Sequence, residues 1–384
     1  MAMLYLAHDL GLPVQVASVD HGLRAEAAGE AQMVAKICSD LGFAHETLEW
    51  RGWDGRGNVQ DQARLARRAL LAQWAQRIGG GAVALAHTQD DLAETYLMRL
   101  ARGAGVDGLS AMQPRFVADG TVFLRPLLHH SRDDLRHYLR ARGAIWIDDP
   151  SNAQTRFARV RARQALPVLE KLGLRAKVIA DVAHHLREAR AALDYACDDL
   201  AGRVLRENCG IVSLDDAWRQ APAELQRRLL QRVIMWIAPQ DYPPRGAALN
   251  GAIARLSMGR ATQLAGCHFL PQPSGVLAFR EGRRALGPCR ADGLWDGVWR
   301  VNSRLPVEAG RMATVQIGPL GAAGLAQWDD WRGLGLPRAA FIAQPSLWQG
   351  PRLLATPLHP NLSEKFTFFR RPAADSLFYG RLAD

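Results

Sequence analysis

Residues 79–100 carry the pattern that most limits how this chain can fold. Three glycines at 79–81 end a helical pattern, and residues 82–86 then form an apolar run of strand length, which is typical of a parallel strand covered on both faces. His87 follows directly, and a second helical pattern begins. Ligands bind at the carboxyl ends of the strands in open α/β sheets. The pattern therefore predicts a doubly wound parallel sheet with His87 at its ligand-binding edge.

Three acidic residues open the helix that follows His87. Asp90 and Glu94 are four positions apart, and Asp91 and Glu94 are three apart, so they share one helix face. Acidic residues in a first turn also cap free N–H groups and complement the helix dipole, which accounts for one or two of the three. Helix capping and the helix dipole do not account for a histidine together with three carboxylates. We therefore predict a site for a divalent metal or a cationic substrate.

Composition limits the class of protein. A chain of 384 residues with 48% hydrophobic and 22% charged residues is globular and long enough for two or three domains. The net charge of +10 favours a polyanionic partner such as nucleic acid, although an arginine-rich composition also arises in GC-rich genomes. The five cysteines form no C-x-x-C pair, which argues against a disulfide framework or a zinc site.

The sequence also predicts where the protein is found. The chain has no basic leader segment and no long apolar run, whereas a membrane span needs about 18 apolar residues. We therefore expect a cytoplasmic protein with no membrane partner.

The first 172 residues alternate helical and strand patterns. Helices are predicted at 1–10, 26–41 and 58–78, and strands at 14–19 and 43–50. Such alternation is typical of a parallel sheet with helices on both faces. The strand that should precede the first helix of a βαβ unit is missing from the sequence, so we expect an N-terminally incomplete sheet.

A basic helix is predicted to start near residue 132. Arg132, Arg136 and Arg140 fall at i, i+4 and i+8 and form one guanidinium stripe. Phosphate contact is one interpretation of this stripe. The other is a surface ion-pair network with Asp133 and Asp134.

The rest of the chain changes character. From residue 176, apolar residues recur at alternating steps of three and four, which indicates long packed helices. Beyond residue 243 the chain is rich in glycine, proline and tryptophan, with short alternating runs at 298–301 and 314–317. We predict a catalytic domain over 1–172, a helical domain over 173–285 and a small α+β or β-rich domain over 286–384.

Several motifs occur in the order found in one family. They are residues 19–24, 58, 63–64, 67, 87–95, 99, 102–103, 105, 125–128, 146, 148–152, 157, 159, 161 and 163. Together they resemble the tRNA(Ile)-lysidine synthases, which are PP-loop ATP pyrophosphatases of bacteria. The resemblance covers roughly residues 1–170 and implies an adenine nucleotide alpha hydrolase-like fold. The helical region after residue 176 is similar only in pattern to the family's tRNA-contacting domain.

The resemblance implies a ligase reaction. ATP activates the C2 oxygen of the wobble cytidine of tRNA(Ile) with the CAU anticodon, and free lysine then displaces AMP. Mg²⁺ would neutralise the pyrophosphate leaving group, and the residues that hold the metal stay open. A homodimer is also left open.

The resemblance also implies residue roles. Asp91 and Glu94 would position lysine and the cytidine, Asp90 and His87 would lie nearer the nucleotide, and His21 would lie on the adenosine side. Each of these groups could instead be structural. The arginines implied in tRNA or substrate binding are Arg99, Arg102, Arg132, Arg136 and Arg159.

One departure from the family pattern is large. The family places a Ser-Gly-Gly-x-Asp-Ser loop between its first strand and first helix, and the sequence contains no such motif. The glycines of that loop let backbone N–H groups approach the phosphates of ATP. We therefore expect the 384-residue chain not to catalyse the reaction. We also expect the codons directly upstream of Met1 to encode the missing strand and loop.

Two other functions stay open. One is a tRNA thiolation enzyme of the same superfamily, which would use cysteine persulfide chemistry. The other is a non-catalytic tRNA-binding remnant.

Overall fold

The computed structural model describes residues 1–22, 27–50, 59–146, 158–240, 242–303, 314–359, 366–370 and 375–378. The chain forms two compact units, residues 1–191 and 192–382. In the ranges described, no helix is both long and apolar enough to cross a membrane. The three-domain division expected from the sequence is not decided by these two units and stays a prediction.

The first unit alternates helices with short strands. Its helices are α1 (Ala2–Asp9), α2 (Ala27–Asp40), α3 (Val59–Arg77), α4 (Gln89–Leu100), α5 (Val106–Leu109), α6 (Arg132–Ala141), α7 (Ala158–Glu170) and the first part of α8 (Ala176–Val204). Its strands are β1 (Val16–Asp20), β2 (His45–Glu49), β3 (Val83–Ala84), β4 (Arg115–Ala118) and β5 (Thr121–Leu124).

Parallel pairing confirms the predicted α/β class. Strand β1 pairs with β2 in parallel, with Val16 opposite His45, and β3 pairs with β5 in parallel. The hairpin partner β4 adds an antiparallel edge to β5. Among the residues described, β1 and β3 each have a second edge that no strand covers.

Helix α3 packs over both sheets. Its apolar side chains form one core cluster with residues of β1, β2, β3 and β5. Phe123 on β5 is fully buried in this cluster and Trp74 on α3 almost so. The Trp74 indole N–H also donates to Glu46 of β2 over 3.1 Å. The helix thereby fixes the strands whose carboxyl ends form the predicted edge.

The predicted element boundaries hold to within a few residues. Strand β3 is shorter than the apolar run at 82–86 that predicted it. The next residue, Leu85, still donates its N–H to the Leu124 carbonyl over 2.8 Å, so the ladder continues by one bond. The motif residues at 23–24, 58, 148–152 and 157 lie outside the described residues.

The second unit is rich in antiparallel sheet. The remainder of α8, with α9 (Ala223–Ile237) and α10 (Gly246–Ser257), packs in one core with a five-stranded sheet. The strands of that sheet, in spatial order, are β6 (Leu205–Asn208), β7 (Ile211–Asp215), β10 (Gly275–Arg280), β9 (Cys267–Gln272) and β8 (Thr262–Leu264).

The C-terminal part adds smaller sheets, as its alternating runs predict. A four-stranded sheet has the order β11 (Cys289–Arg290), β13 (Val315–Pro319), β14 (Pro345–Gln349) and β15 (Arg352–Ala355). A two-stranded sheet joins β12 (Trp299–Ser303) to β16 (Phe366–Arg370).

The region 173–285, expected from its sequence to be a helical domain, contains strands as well as helices. Helices α8, α9 and α10 are present, but strands β6–β10 lie in the same range. These strands are only three to six residues long. Each therefore has too few apolar–polar alternations to be recognised beside the longer helical patterns of its neighbours. The turn at Cys209 and Gly210, both with positive φ, is the local signal of the β6–β7 hairpin.

Candidate active site

The edge after β3 is formed by the start of α4. Thr88 is the N-cap residue, and its hydroxyl accepts from the Asp91 N–H, while the Asp91 carboxylate accepts from the Thr88 N–H over 2.8 Å. The Thr88 hydroxyl also donates to the same carboxylate oxygen. This reciprocal capping box satisfies free donors of the first turn. One oxygen of Asp91 is therefore committed to the helix terminus.

A second capped helix begins beside the first. Ser131 caps α6 in a capping box with Asp134. The Gln89 N–H of α4 donates to the His130 carbonyl over 3.0 Å. In return, Oδ2 of Asp90 accepts from the Arg132 N–H over 2.7 Å. The two helix N-termini are thus joined by a hydrogen bond in each direction.

The guanidinium of Arg132 contacts two of the predicted acidic residues. Its Nη2 donates to Oδ1 of Asp91 over 2.5 Å, and its Nη1 donates to Oε1 of Glu94 over 2.8 Å. The ion pairs of Arg132 thus go to Asp91 and Glu94 and not to Asp133 or Asp134, while phosphate contact by the stripe stays a prediction. The guanidinium lies in the acidic cluster at the sheet edge.

Glu94 joins three helices. Its side chain is fully buried, and besides Arg132 of α6 it accepts from two arginines of α7. Nε of Arg159 donates to Oε2 and Nε of Arg163 to Oε1, each over 2.8 Å. Arg159 also lies 3.5 Å from Oδ1 of Asp91. Both Glu94 oxygens are therefore engaged by guanidinium groups.

Both carboxylates are ionised in this environment. Burial by itself raises the pKa of Asp91, but the charge of Arg132 and the hydrogen bonds from Thr88 outweigh it and hold the pKa below 3.8. Burial likewise raises the pKa of Glu94, and the hydrogen bonds from Arg132 and Arg163 hold it below 4.5. The cluster therefore stays fully charged near neutral pH.

His87 is neutral at the same edge. Burial, reinforced by the charge of Arg125, lowers the pKa of His87 to about 4. Its Nδ1 atom is buried and makes no hydrogen bond with the residues described. A buried polar atom without a partner costs free energy, so this nitrogen is suited to a hydrogen bond with a ligand. His21 follows β1 and stacks edge-on against Trp50 at 6.0 Å.

The described residues do not form a metal centre. No group of three or more histidine, cysteine, aspartate or glutamate side chains in the described ranges is arranged to hold a metal ion. The carboxylates of Asp91 and Glu94 are neutralised by arginines instead. The negative charges of Asp91 and Glu94 are thus balanced within the protein, while His87 offers a neutral hydrogen-bonding group.

Comparisons with known proteins agree with this arrangement. A family described as "PP-loop domain" matches residues 1–171. The tRNA(Ile)-lysidine synthase of Ruegeria pomeroyi is 47% identical over 345 residues, which is 89% of this chain and 81% of that protein. The enzyme of the same name from Zymomonas mobilis is 35% identical over 69% of this chain and 80% of its own. The chain belongs to the tRNA(Ile)-lysidine synthase family.

A solved structure is also similar in part. The U34-tRNA thiolase NcsA from Methanococcus maripaludis is 18% identical and has a TM-score of 0.42, covering 49% of this chain and 68% of its own. A likeness that slight carries no argument about this chain.

Membership confirms the resemblance to the lysidine synthases, and the structure shows which expected residues meet. Asp90, Asp91, Glu94, Arg132 and Arg159 lie in one hydrogen-bonded cluster. Their roles as substrate-binding groups stay predictions.

The remaining basic residues expected to bind substrate lie elsewhere. Arg99 donates to the carbonyl oxygens of Gly108 and Ala111 over 2.8 and 3.2 Å, which ties the end of α4 to the turn that follows. Arg102 is exposed in the turn after α4, and Arg136 is half-buried on α6. Contact of these three residues with tRNA stays a prediction.

Two groups of this candidate site were not predicted from the sequence. Arg163 was seen as part of a family motif but not as a site residue, and nothing local predicts that it reaches Glu94. Thr88 could have been predicted as a helix cap, because Thr88 and Asp91 have the spacing of a capping box.

Replacing Glu94 by glutamine should destabilise the first unit. The variant leaves three guanidinium groups without their shared carboxylate, and the partly exposed arginines limit the cost to about 1–3 kcal/mol of unfolding free energy. Urea denaturation at pH 7 measures it, with the exposed Asp133→Asn as the matched control.

The same pair of proteins gives a pH test. Because the folded-state pKa of Glu94 lies below 4.5, its stabilisation is fully present above that pH and is lost as the pH falls further. The stability difference between parent and Glu94→Gln should therefore narrow in acid. A difference that does not depend on pH would contradict the charged cluster.

Proposed function

We propose that this chain carries the lysine- and tRNA-binding parts of an enzyme that ligates free lysine to C2 of the wobble cytidine of tRNA(Ile) with the CAU anticodon. The reaction would pass through an adenylated intermediate with conversion of ATP to AMP and pyrophosphate, and it would need the Ser-Gly-Gly-x-Asp-Ser loop as well. Family membership supports the reaction. The observation that carries it is the pair of ionised carboxylates, Asp91 and Glu94, at the carboxyl-end edge of a parallel sheet. Such a pair suits the lysine ammonium, which must be held close to the activated base.

Lysine would enter a cluster whose charges are already balanced. Arg132 and Arg159 occupy the Asp91 and Glu94 oxygens, so an ammonium group needs one guanidinium to move away. Arg159 is the better candidate, since its side chain is 40% exposed against 26% for Arg132. Its displacement would expose Oε2 of Glu94 while leaving Oε1 bound by two arginines.

His87 and His21 are the residues suited to the nucleotide. The buried Nδ1 of His87, which has no hydrogen-bond partner among the described residues, fits a hydrogen bond to ATP, and the low pKa of His87 keeps the ring neutral there. His21 would lie on the adenosine side. When bound, ATP supplies the adenylyl group that turns the C2 oxygen into a leaving group. Mg²⁺ would bind together with the phosphates of ATP, since arginines already neutralise the carboxylates of Asp91 and Glu94.

tRNA would bind through its phosphates. The net charge of +10 attracts a polyanion, and Arg102 and Arg136 are the predicted contacts outside the acidic cluster. Arg99 is the weaker candidate, because its guanidinium already holds two carbonyl oxygens.

Two alternatives make different predictions. A thiolation enzyme would need reactive cysteines, and Cys38, the one cysteine in the first unit, is buried with its thiol pKa raised by that burial. A non-catalytic tRNA-binding remnant would bind tRNA with salt-dependent affinity and show no affinity for ATP.

An added phosphate loop should confer lysine incorporation. A polypeptide that joins a strand and a Ser-Gly-Gly-x-Asp-Ser loop to Met1 gains three or four charge-assisted hydrogen bonds to ATP, each about 1.5–3 kcal/mol. We expect ATP-dependent transfer of labelled lysine to tRNA with the CAU anticodon by this polypeptide, and none by the 384-residue chain. Tight tRNA binding without incorporation by either would favour the remnant.

In the loop-bearing polypeptide, Asp91→Asn should abolish lysine incorporation. The amide retains an acceptor for the helix cap but loses the charge that would bind the ammonium, so the fold is kept. Incorporation of labelled lysine measures the effect, and Asp133→Asn, an exposed acid on the first turn of α6, is the control. A parent-like rate in Asp91→Asn would show that the acidic cluster does not serve lysine.

Combined Arg102→Ala and Arg136→Ala substitutions should weaken binding to all tRNAs alike. All tRNAs should be affected alike because phosphate contacts carry no base readout. Each lost contact lowers the slope of log affinity against log salt concentration by about 1. Filter binding at several salt concentrations measures it, with Arg77→Ala, whose guanidinium pairs with Glu46, as the control. Unchanged affinity and slope would contradict phosphate contact by Arg102 and Arg136.

A further inference from the structure

Asp90 differs from its acidic neighbours in what it contacts. Asp91 and Glu94 accept from guanidinium groups, whereas Oδ2 of Asp90 accepts from a backbone N–H, that of Arg132, over 2.7 Å. The bond is long-range, since 42 positions separate the two residues. A carboxylate bound to the first N–H groups of a helix is stabilised by the helix dipole as well.

A second bond supports the first. The Gln89 N–H donates to the His130 carbonyl over 3.0 Å, so residues 89–90 of α4 exchange bonds with residues 130–132 around the start of α6. We call these two bonds the helix clasp. The clasp fixes the backbone of Arg132 directly beside the first turn of α4.

The guanidinium of Arg132 depends on this placement. From the clasped backbone, its two Nη atoms reach Asp91 and Glu94 at 2.5 and 2.8 Å. A two-point contact of this kind tolerates little displacement of the backbone, because hydrogen bonds weaken steeply with distance and angle. Release of the N-terminus of α6 would therefore move the arginine that donates hydrogen bonds to both carboxylates.

We propose that Asp90 is a positioning residue: through the helix clasp it holds Arg132 in place, and Arg132 in turn sets the orientation of the Asp91 and Glu94 carboxylates that receive lysine. The inference rests on the proposed function, because it assigns lysine to those two carboxylates. It replaces the expectation that Asp90 lies near the nucleotide. Asp90 needs only a hydrogen-bond acceptor for this task, not a negative charge.

Substitution of Asp90 by asparagine or by alanine distinguishes a role as hydrogen-bond acceptor from a role that needs the negative charge. The Asp90→Asn side chain can still accept from the Arg132 N–H, whereas Asp90→Ala cannot. Hydrogen exchange of the 384-residue chain, followed on peptides that contain the start of α6, measures the clasp without any activity. We expect exchange at Arg132 to be about tenfold faster in Asp90→Ala and parent-like in Asp90→Asn and in the control Asp133→Ala.

Steady-state kinetics of the loop-bearing polypeptide give the second readout. For Asp90→Ala we expect the lysine KM to rise about tenfold, with kcat and the ATP KM nearly unchanged, and for Asp90→Asn we expect parent-like values. A higher KM for ATP or a higher Mg²⁺ requirement in both variants would overturn the proposal and place Asp90 at the nucleotide. Parent-like exchange in Asp90→Ala would also overturn it.

The two readouts also separate this proposal from the proposed function. If the loop-bearing parent incorporates no lysine, the proposed function fails. Hydrogen exchange still decides whether the clasp holds Arg132, because it needs no substrate.

Discussion

The first unit depends on the burial of one ionised carboxylate, that of Glu94. A buried charge is tolerated only when it is paired and hydrogen-bonded, and here Arg132, Arg159 and Arg163 supply the partners. These arginines come from α6 and α7, so neutralising one side chain fixes both helices on α4. The sheet edge, the two capped N-termini and the acidic cluster are all arranged around that requirement.

The same network sets the charge of the sheet edge. Arginines already balance the carboxylates of Asp91 and Glu94. Asp91 has two duties, because one oxygen caps α4 and the other accepts from Arg132. Neutral His87, with its buried Nδ1 unpartnered among the described residues, supplies a hydrogen-bonding group of a different kind at the same edge. Charged and neutral ligand groups can thus be bound side by side.

Much of the first unit could be predicted because its signals are local. The glycines at 79–81 and the apolar run after them predicted β3, and helical periodicity predicted α3 and α4 to within a few residues. The start of α6 near residue 132 was also predicted, and Ser131 caps that helix. The five-stranded sheet of the second unit was not predicted, since strands of three to six residues carry little periodicity beside a helix of 29 residues.

The sequence by itself determined the α/β alternation, the placement of His87 and the acids at a strand end, and the family. Tertiary structure alone decided which arginine meets which acid. The partners of Glu94 lie 38, 65 and 69 positions away, and no periodicity links positions so far apart. Local spacing put Arg132 in a stripe with Arg136 and Arg140. The fold turned Arg132 inward instead, because the buried charge of Glu94 needed a counter-ion that its own helix does not provide.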